Sequence, residues 1–118
     1  MSPGASPIQP YEVWYATLPN DGGNTTSGPR PCIVIADIPE ARSTLVVPLT
    51  TNLDREKFAF TYRIQPSGPN GLRETSIALV FHVRHIDRKF LTTKAGSLSE
   101  VDAETIRALL ADLLGLKT

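Results

Sequence analysis

Two short apolar stretches decide the fold, Cys32-Ile33-Val34-Ile35-Ala36 and Ser43-Thr44-Leu45-Val46-Val47-Pro48. Both have the length of a strand and are rich in β-branched residues, which pack well on a pleated sheet. Proline lacks the backbone N–H that a sheet ladder uses, so Pro48 should end the pairing of its strand or lie at a sheet edge. The centre of the chain is therefore predicted to be β-sheet.

Further strands are predicted on both sides of this centre. Residues 11–17 are rich in aromatic and β-branched side chains, and residues 75–83 form a strand that residues 84–86 can continue after a bend. Residues 58–64 alternate, which places Phe58, Phe60, Tyr62 and Ile64 on one face of a strand. The loop at residues 19–29 is longer than an ordinary connection, and long loops are often functional.

The period of the apolar residues changes near the C-terminus. Ser99 and Asp102 fit a capping box that begins a helix, and Ser97 and Glu100 fit one in an earlier register. Gly115 fits a left-handed residue that ends the helix, against which Leu116 can pack back. Between them, apolar side chains repeat with helical spacing and are expected to face the core: Ile106, Leu109, Leu110, Leu113 and Leu114. The predicted fold is mainly β, a small, highly curved antiparallel barrel or sheet closed by a C-terminal α-helix.

The composition fits one small domain and excludes several classes of protein. The chain has 118 residues, 41% of them hydrophobic, and no apolar run approaches the length of a membrane span. We expect one domain over residues 11–118, preceded by a disordered arm at residues 1–10. The N-terminus lacks the features of a secretory signal, and the single cysteine, Cys32, is expected to be a buried strand thiol, which favours the cytoplasm.

General catalytic motifs are missing from the sequence. There is no Gly-rich phosphate loop after a strand and no G-x-S-x-G nucleophile motif. Two histidines and one cysteine supply no recognisable set of metal ligands. We therefore expect neither a metal nor a cofactor.

The charge of the chain is zero overall but unevenly distributed. Residues 1–54 carry a net charge of −3, residues 55–94 a net charge of +5, and residues 95–118 a net charge of −2. A basic middle between acidic ends can hold a local anion site. The alternative interpretation is that these charged side chains lie on the solvent-exposed faces of strands and bind no ligand.

Five segments match, in the same order, the motifs of a known toxin family: residues 11–18, 28–35, 46–51, 81–91 and 96–99. They resemble a first strand with a tryptophan, a G-x-R-P motif before an apolar strand, and a V-x-P-hydrophobic-Thr strand end. The last two resemble a D-Q-hydrophobic-R-x-I-D segment and a G-x-L-S/T motif that leads into a closing helix. The match spans about residues 11–116, and on this basis the chain resembles the MazF/PemK-like toxins.

This resemblance implies a CcdB/PemK-like fold, which is a small SH3-like barrel, and an activity. The activity is that of a toxin endoribonuclease that cuts single-stranded RNA, chiefly mRNA, at short specific sequences. No metal is needed, because the 2′-hydroxyl of the RNA can attack the adjacent phosphorus while the protein stabilises charge and transfers protons.

The resemblance also assigns roles to individual residues. Arg30 occupies the catalytic arginine position of the family, and Thr50 occupies its catalytic threonine position. The residues expected to contact RNA are Thr25, Thr26, Thr51 and Arg84, of which Arg84 can alternatively contact a second subunit. The alternatives to catalysis are a structural ion pair for Arg30 and a strand-end turn residue for Thr50.

The sequence departs from the family pattern at two acidic positions. Residues 24–26 replace a Ser-Glu-Gln sequence in the loop, and Phe81-His82 replaces an Asp-Gln pair, so two carboxylates are missing. His82 can compensate, because an imidazole gives or takes a proton near neutral pH. The alternative is a strand histidine that only packs and hydrogen-bonds. Alternation places His82 on the face opposite Leu79 and Phe81.

The resemblance implies partners as well. Family toxins form two-fold homodimers, and an acidic, extended antitoxin tail competes with single-stranded RNA for the groove at the interface. One alternative is a CcdB-like gyrase poison, whose activity is associated with a C-terminal Trp-Gly-hydrophobic ending. This chain ends instead with Leu114-Gly115-Leu116-Lys117-Thr118, and its one tryptophan, Trp14, lies in the first predicted strand. The other alternative is a catalytically degenerate member that only binds RNA or protein.

Overall fold

The computed structural model describes residues 7–17 and 28–116, which form seven β-strands and one α-helix. In chain order the strands are β1 (Glu12–Ala16), β2 (Arg30–Ile38), β3 (Ser43–Thr50), β4 (Thr61–Ile64), β5 (Ser76–Leu79), β6 (Arg84–Asp87) and β7 (Leu91–Ser97), and the helix is α1 (Glu100–Leu114). Short 3-10 helices connect several of these elements: Pro39–Ala41, Leu53–Lys57, Val80–His82 and Arg88–Phe90.

The described strands form one antiparallel sheet in the order β4-β5-β3-β2-β1-β7, and β6 also pairs with β3. β3 is the hub of this sheet, because one of its edges pairs with β2 and the other pairs first with β6 and then with β5. The ladder between β2 and β3 ends at Cys32 and Pro48, where the proline offers no N–H. The mainly β fold with a C-terminal helix is confirmed.

The sheet is open in the part of the chain that the structure describes, which differs from a closed barrel. No ladder joins its two ends, β4 and β7. The main core lies between the sheet and α1, which contacts β4 and the Val80–His82 turn. The core side chains are aliphatic, and the largest fully buried ones include Ile33, Ile64, Ile77 and Ile106.

Helix α1 begins and ends where the sequence predicts. The Ser99 hydroxyl accepts a hydrogen bond from the Asp102 N–H at 3.1 Å, and Gly115 ends the helix with a left-handed φ of 72°. Ile106 and Leu110 are buried as expected, but Leu114 and Leu116 are 60% and 63% exposed, so their predicted packing is wrong. Leu114 lies in the last turn and is exposed, although Leu113, one residue earlier, packs against the core. No helix within residues 7–17 and 28–116 is long and apolar enough to cross a membrane.

Two predicted strands are shorter than the alternation suggests. Of residues 58–64, only residues 61–64 form β4, because Phe60 has a positive φ of 59° that breaks the pleat. The Phe60 carbonyl instead accepts a hydrogen bond from the Phe81 N–H. Of residues 75–83, only residues 76–79 form β5, and the chain then turns through the Val80–His82 3-10 helix.

The turn at residues 66–71 is fixed by a buried asparagine. The Asn70 side-chain oxygen accepts hydrogen bonds from the Ser67 and Leu72 N–H groups at 3.0 and 2.9 Å, and its amide donates to the Gln65 carbonyl at 2.9 Å. The turn packs against β7 at Gly96, where an added Cβ would lie 2.1 Å from the Pro69 carbonyl oxygen. Only glycine fits at this position, which gives a physical reason for the G-x-L-S motif.

A buried carboxylate joins the two strands β1 and β7. Glu12 is 6% exposed, accepts a hydrogen bond from the Trp14 indole N–H at 2.9 Å, and pairs with the Lys94 ammonium at 2.9 Å. Burial is the largest single influence and raises the pKa of Glu12. The hydrogen bonds from Trp14, Lys94 and the Gln9 backbone together outweigh burial, so the pKa lies below its ordinary value of 4.5.

This lowered pKa predicts a pH-dependent contribution of Glu12 to stability. Because the folded state favours the ionised carboxylate, its stabilisation is complete above the pKa of the unfolded chain and is lost as the pH falls through the folded pKa. We therefore expect native protein to be more stable than Glu12→Gln at pH 7, and the difference in free energy of unfolding to shrink below pH 4.5. Urea unfolding of both proteins from pH 7 to pH 3 measures this, and a pH-independent difference would contradict it.

Candidate functional site

A cleft of about 560 Å³ lies where β2 begins and β3 ends. Its polar and charged lining consists of three arginines, one hydroxyl and one imidazole: Arg30, Arg55, Arg84, Thr50 and His82. Its apolar lining consists of aliphatic and aromatic side chains: Pro48, Leu49, Leu79, Phe58 and Phe81. Among these described lining residues there is no carboxylate, so the cleft suits an anion with an apolar or aromatic portion.

Sheet pairing brings these distant segments together. Arg30 is the first residue of β2 and pairs with Ala16 of β1, while Thr50 is the last residue of β3 and pairs with Ile77 of β5. Arg84 is the first residue of β6 and pairs with Val46. Because β3 pairs with β2, β5 and β6, its C-terminal end is where four strands can contribute to one site.

The 3-10 helix Val80–His82 changes which side chains reach the cleft. In a continuous strand, His82 would lie on the same face as Ala78 and Val80, both of which are fully buried. His82 is instead exposed and lines the cleft together with Leu79 and Phe81. The prediction that His82 lies opposite those two residues is wrong, because the turn ends the two-residue period of the strand.

The predicted site residues differ in exposure and in the groups that they contact. The Thr50 hydroxyl oxygen accepts a hydrogen bond from the Asn52 N–H at 3.1 Å, which leaves its own O–H available as a donor. Arg30 is exposed, and Arg84 is partly buried. The His82 ring lies 4.6 Å from the Phe81 ring, centroid to centroid, at an interplanar angle of 36°.

Three cleft residues were not singled out from the sequence: Arg55, Phe58 and Phe81. Arg55 belongs to the 3-10 helix Leu53–Lys57, and Phe58 ends that helix with a 41% exposed side chain. The sequence signal for Arg55 was the net positive charge of residues 55–94, of which it is the first. Phe58 gave no such signal, because its alternating neighbours predicted a strand.

Six of the eight cations in residues 55–94 fall into two groups. Four of them form ion pairs with acidic side chains: Lys57 with Asp54, Arg63 with Glu56, Arg88 with Asp37, and Lys94 with Glu12. Two others, Arg55 and Arg84, line the cleft. The ion pairs agree with the interpretation that part of the charge lies in solvated surface pairs, and the local anion site stays a prediction for which the cleft arginines are the candidates.

Other predicted residues lie apart from the cleft or outside the described ranges. Thr51 is exposed and adjacent to Thr50 but is not among the lining residues. Thr25 and Thr26 lie outside the described residues, so their predicted RNA contacts stay predictions. Cys32 is fully buried, and burial raises the pKa of its thiol to about 12, which confirms it as an inert strand thiol. Within residues 7–17 and 28–116, no three His, Cys, Asp or Glu side chains group as metal ligands.

Comparison with known families matches residues 9–114 to the PemK-like, MazF-like toxin of type II toxin-antitoxin systems. This chain belongs to that toxin family. The match spans nearly the whole sequence, so the resemblance drawn from five motifs is confirmed. Proteins of the MazF/PemK toxin family are generally endoribonucleases.

Solved structures share the fold of this MazF-like chain. The toxin MazF-mt6 of Mycobacterium tuberculosis superposes with a TM-score of 0.70 at 17% identity, covering 91% of this chain and 99% of that toxin. MazF from Deinococcus radiodurans superposes with a TM-score of 0.69 at 20% identity, covering 92% and 96%. A mycobacterial endoribonuclease in complex with its cognate antitoxin gives 0.69 at 18% identity, covering 96% and 99%. Comparison with curated protein sequences gives no match.

Proposed function

We propose that this MazF-like protein is a toxin endoribonuclease that cleaves single-stranded RNA, chiefly mRNA, at short specific sequences without a metal. The observation that carries the proposal is the convergence of Arg30, Thr50, His82 and Arg84 on one cleft. These residues come from three separate segments of the chain, and together they offer the cationic, hydroxyl and imidazole groups that cleavage of RNA uses.

The reaction needs two proton transfers and one charge stabilisation. The 2′-oxygen bonds to phosphorus as its proton leaves to a base, and the bond from phosphorus to the 5′-oxygen breaks as that oxygen takes a proton. The products are a 2′,3′-cyclic phosphate and a 5′-hydroxyl. Extra negative charge collects on the non-bridging oxygens in the transition state, where positioned donors lower the barrier most.

In this proposal Arg30 and Thr50 stabilise that charge. A guanidinium stays protonated and binds two phosphate oxygens with parallel hydrogen bonds. The Thr50 hydroxyl already accepts a hydrogen bond from Asn52, so its own hydrogen is free to bond a third group. Arg84, on the opposite side of β3, binds a neighbouring phosphate and helps to orient the RNA for in-line attack.

His82 is the proposed proton-transfer group. The described lining of the cleft contains no carboxylate, and His82 is its one imidazole. A histidine can act as base for the 2′-hydroxyl or as acid for the 5′-oxygen, and such catalysis commonly contributes about 10²–10⁴ in rate. The imidazole thereby takes over the work of the carboxylates that the family pattern has and this sequence lacks.

The proposal includes partners and a compartment. Single-stranded RNA and a cognate antitoxin compete for the basic groove of a two-fold homodimer in the cytoplasm. The cleft arginines favour an acidic, extended antitoxin segment, and a similarly folded endoribonuclease has been solved with its antitoxin. The buried free thiol of Cys32 suits a reducing compartment.

A gel assay of purified protein on a long single-stranded RNA in EDTA tests the proposal. We expect discrete fragments that carry a 2′,3′-cyclic phosphate, because attack by the 2′-hydroxyl leaves that end group. Fragments that appear only when Mg²⁺ is added would contradict the metal-independent mechanism. Binding of RNA without any cleavage would instead favour a degenerate binding member, an alternative that the lack of a carboxylate in the described cleft lining supports.

A further inference from the structure

The Phe58 side chain is an exposed aromatic surface on the wall of the cleft. It lies at the C-terminal end of the Leu53–Lys57 helix, and 41% of its surface is exposed although Phe60, two residues later, packs against the core. Exposing a large ring to water is unfavourable, and aromatic surface at the mouth of a polar cleft is typical of a ligand contact. Neither Arg30 nor Thr50 provides such a surface.

Phe58 is part of a continuous row of rings. The Phe81 ring meets it at a centroid distance of 5.8 Å and an interplanar angle of 71°, which is an edge-to-face contact. Phe81 also contacts the His82 ring at 4.6 Å. The row therefore leads from the exposed ring directly to the imidazole that is proposed to move protons.

Two cations lie over the exposed Phe58 ring, both at long distance. The guanidinium carbon of Arg55 lies 6.0 Å from the Phe58 ring centroid, and the Lys57 ammonium lies 5.6 Å from it. These distances are near the outer limit of a cation–π contact, so the ring binds the two cations only weakly. Both cations are nevertheless close enough to bind the phosphate of a nucleotide whose base rests on the ring. Proteins that bind single-stranded nucleic acid commonly combine stacking rings with a basic groove in this way.

We propose that Phe58, supported by Phe81, is a stacking platform for the base next to the scissile phosphate. The inference rests on the proposed function and adds a positioning subsite to it. Stacking uses the face of a base rather than its hydrogen-bonding edge, so the subsite requires that a base be present and tolerates different bases. By anchoring that base, Phe58 places the neighbouring phosphate between Arg30 and Thr50.

Binding of two short oligonucleotides with the same number of phosphates tests this platform. One is single-stranded DNA with mixed bases, and the other is the same DNA backbone without bases. Neither contains the 2′-hydroxyl nucleophile, so neither can be cut. We expect the native protein to prefer the base-containing strand, and Phe58→Ala to reduce that preference by about 5- to 150-fold, the range that loss of one stacked base typically gives.

Three further variants separate stacking from other effects. Phe58→Tyr keeps the ring and is expected to keep the preference, whereas Phe58→Leu keeps an apolar side chain without the ring and is expected to lose it. Leu53→Ala is the matched control, because Leu53 is 40% exposed on the same 3-10 helix but is not among the residues that line the cleft. It is expected to bind like the native protein.

The outcomes distinguish this inference from the proposed nuclease function. An unchanged preference in both Phe58→Ala and Phe58→Leu, or an equal loss of affinity for the two oligonucleotides, would overturn the stacking platform. Neither result depends on cleavage. If the native protein does not cut RNA, and replacement of Phe58 still abolishes the preference for the base-containing strand, the stacking platform is supported and the nuclease function is contradicted.

Discussion

Arg30→Ala is expected to lower the rate of RNA cleavage by about 10²–10³, the usual cost of removing one donor to a transition-state oxyanion. Arg30 begins β2 and lines the same cleft as Thr50, and the proposed reaction develops negative charge on the phosphate oxygens bound there. Arg30→Lys keeps the charge but loses the planar pair of donors, so an intermediate loss is expected. Single-turnover cleavage of a labelled RNA, with protein in excess, measures the chemical step.

A matched control distinguishes catalysis from a general loss of charge. Arg73 is an exposed arginine that is not among the residues lining the cleft, so Arg73→Ala removes the same charge and should leave the rate near the native value. Thermal unfolding of each variant tests the alternative role of Arg30 in a structural ion pair. If Arg30→Ala folds stably and cleaves RNA at the native rate, Arg30 is not a catalytic residue. A large loss of stability in this variant would favour the structural role.

Local signals predicted the C-terminal helix because its boundaries depend on local chemistry. The Ser99 cap and the left-handed Gly115 each act within one turn of the helix, and both lie where the sequence indicated. The exposure of Leu114 was not predictable in the same way. Helical spacing says which side chains share a face, whereas the extent of the sheet beneath that face is a tertiary property.

Strand alternation predicted the central strands and failed at the edges. β2 and β3 include the two apolar stretches, because both faces of these strands are buried. Ile33 and Val47 pack into the main core, and Cys32 and Val46 pack into a second cluster. Phe60 and Val80 instead lie in backbone conformations that interrupt the pleat, a positive φ and a 3-10 helix. The side chains of residues 58–64 and 75–83 have the same two-residue pattern whether or not the backbone turns, so periodicity alone could not reveal the interruptions.

The cleft could be predicted in part. Positions Arg30 and Thr50 came from family motifs, and the structure brings them together because β2 and β3 are neighbours. Arg55 and Phe58 reach the same cleft through an irregular segment that carries no motif. Their presence depends on how the Leu53–Lys57 helix folds back beside β5, and no local pattern in the sequence encodes that contact.

The second large effect is expected at His82. Replacement with glutamine, which can hydrogen-bond but cannot exchange a proton near neutral pH, should lower the cleavage rate by about 10²–10⁴. The physical reason is that His82 is the one imidazole lining a cleft whose described lining has no carboxylate. A rate measured across pH provides a second readout, because a variant without the proton-transfer group should lose the corresponding limb of the pH–rate profile.

The other histidine of the chain is a suitable control for this prediction. His85 is exposed on β6, lies with its Nδ1 3.4 Å from the Ser43 hydroxyl, and is not among the cleft residues, so His85→Gln should cleave at the native rate. Added imidazole should restore part of the rate to His82→Ala, because a free base can enter the space that the side chain leaves. A native rate and pH profile in His82→Gln would assign proton transfer to another group while leaving Arg30 and Thr50 as the phosphate site.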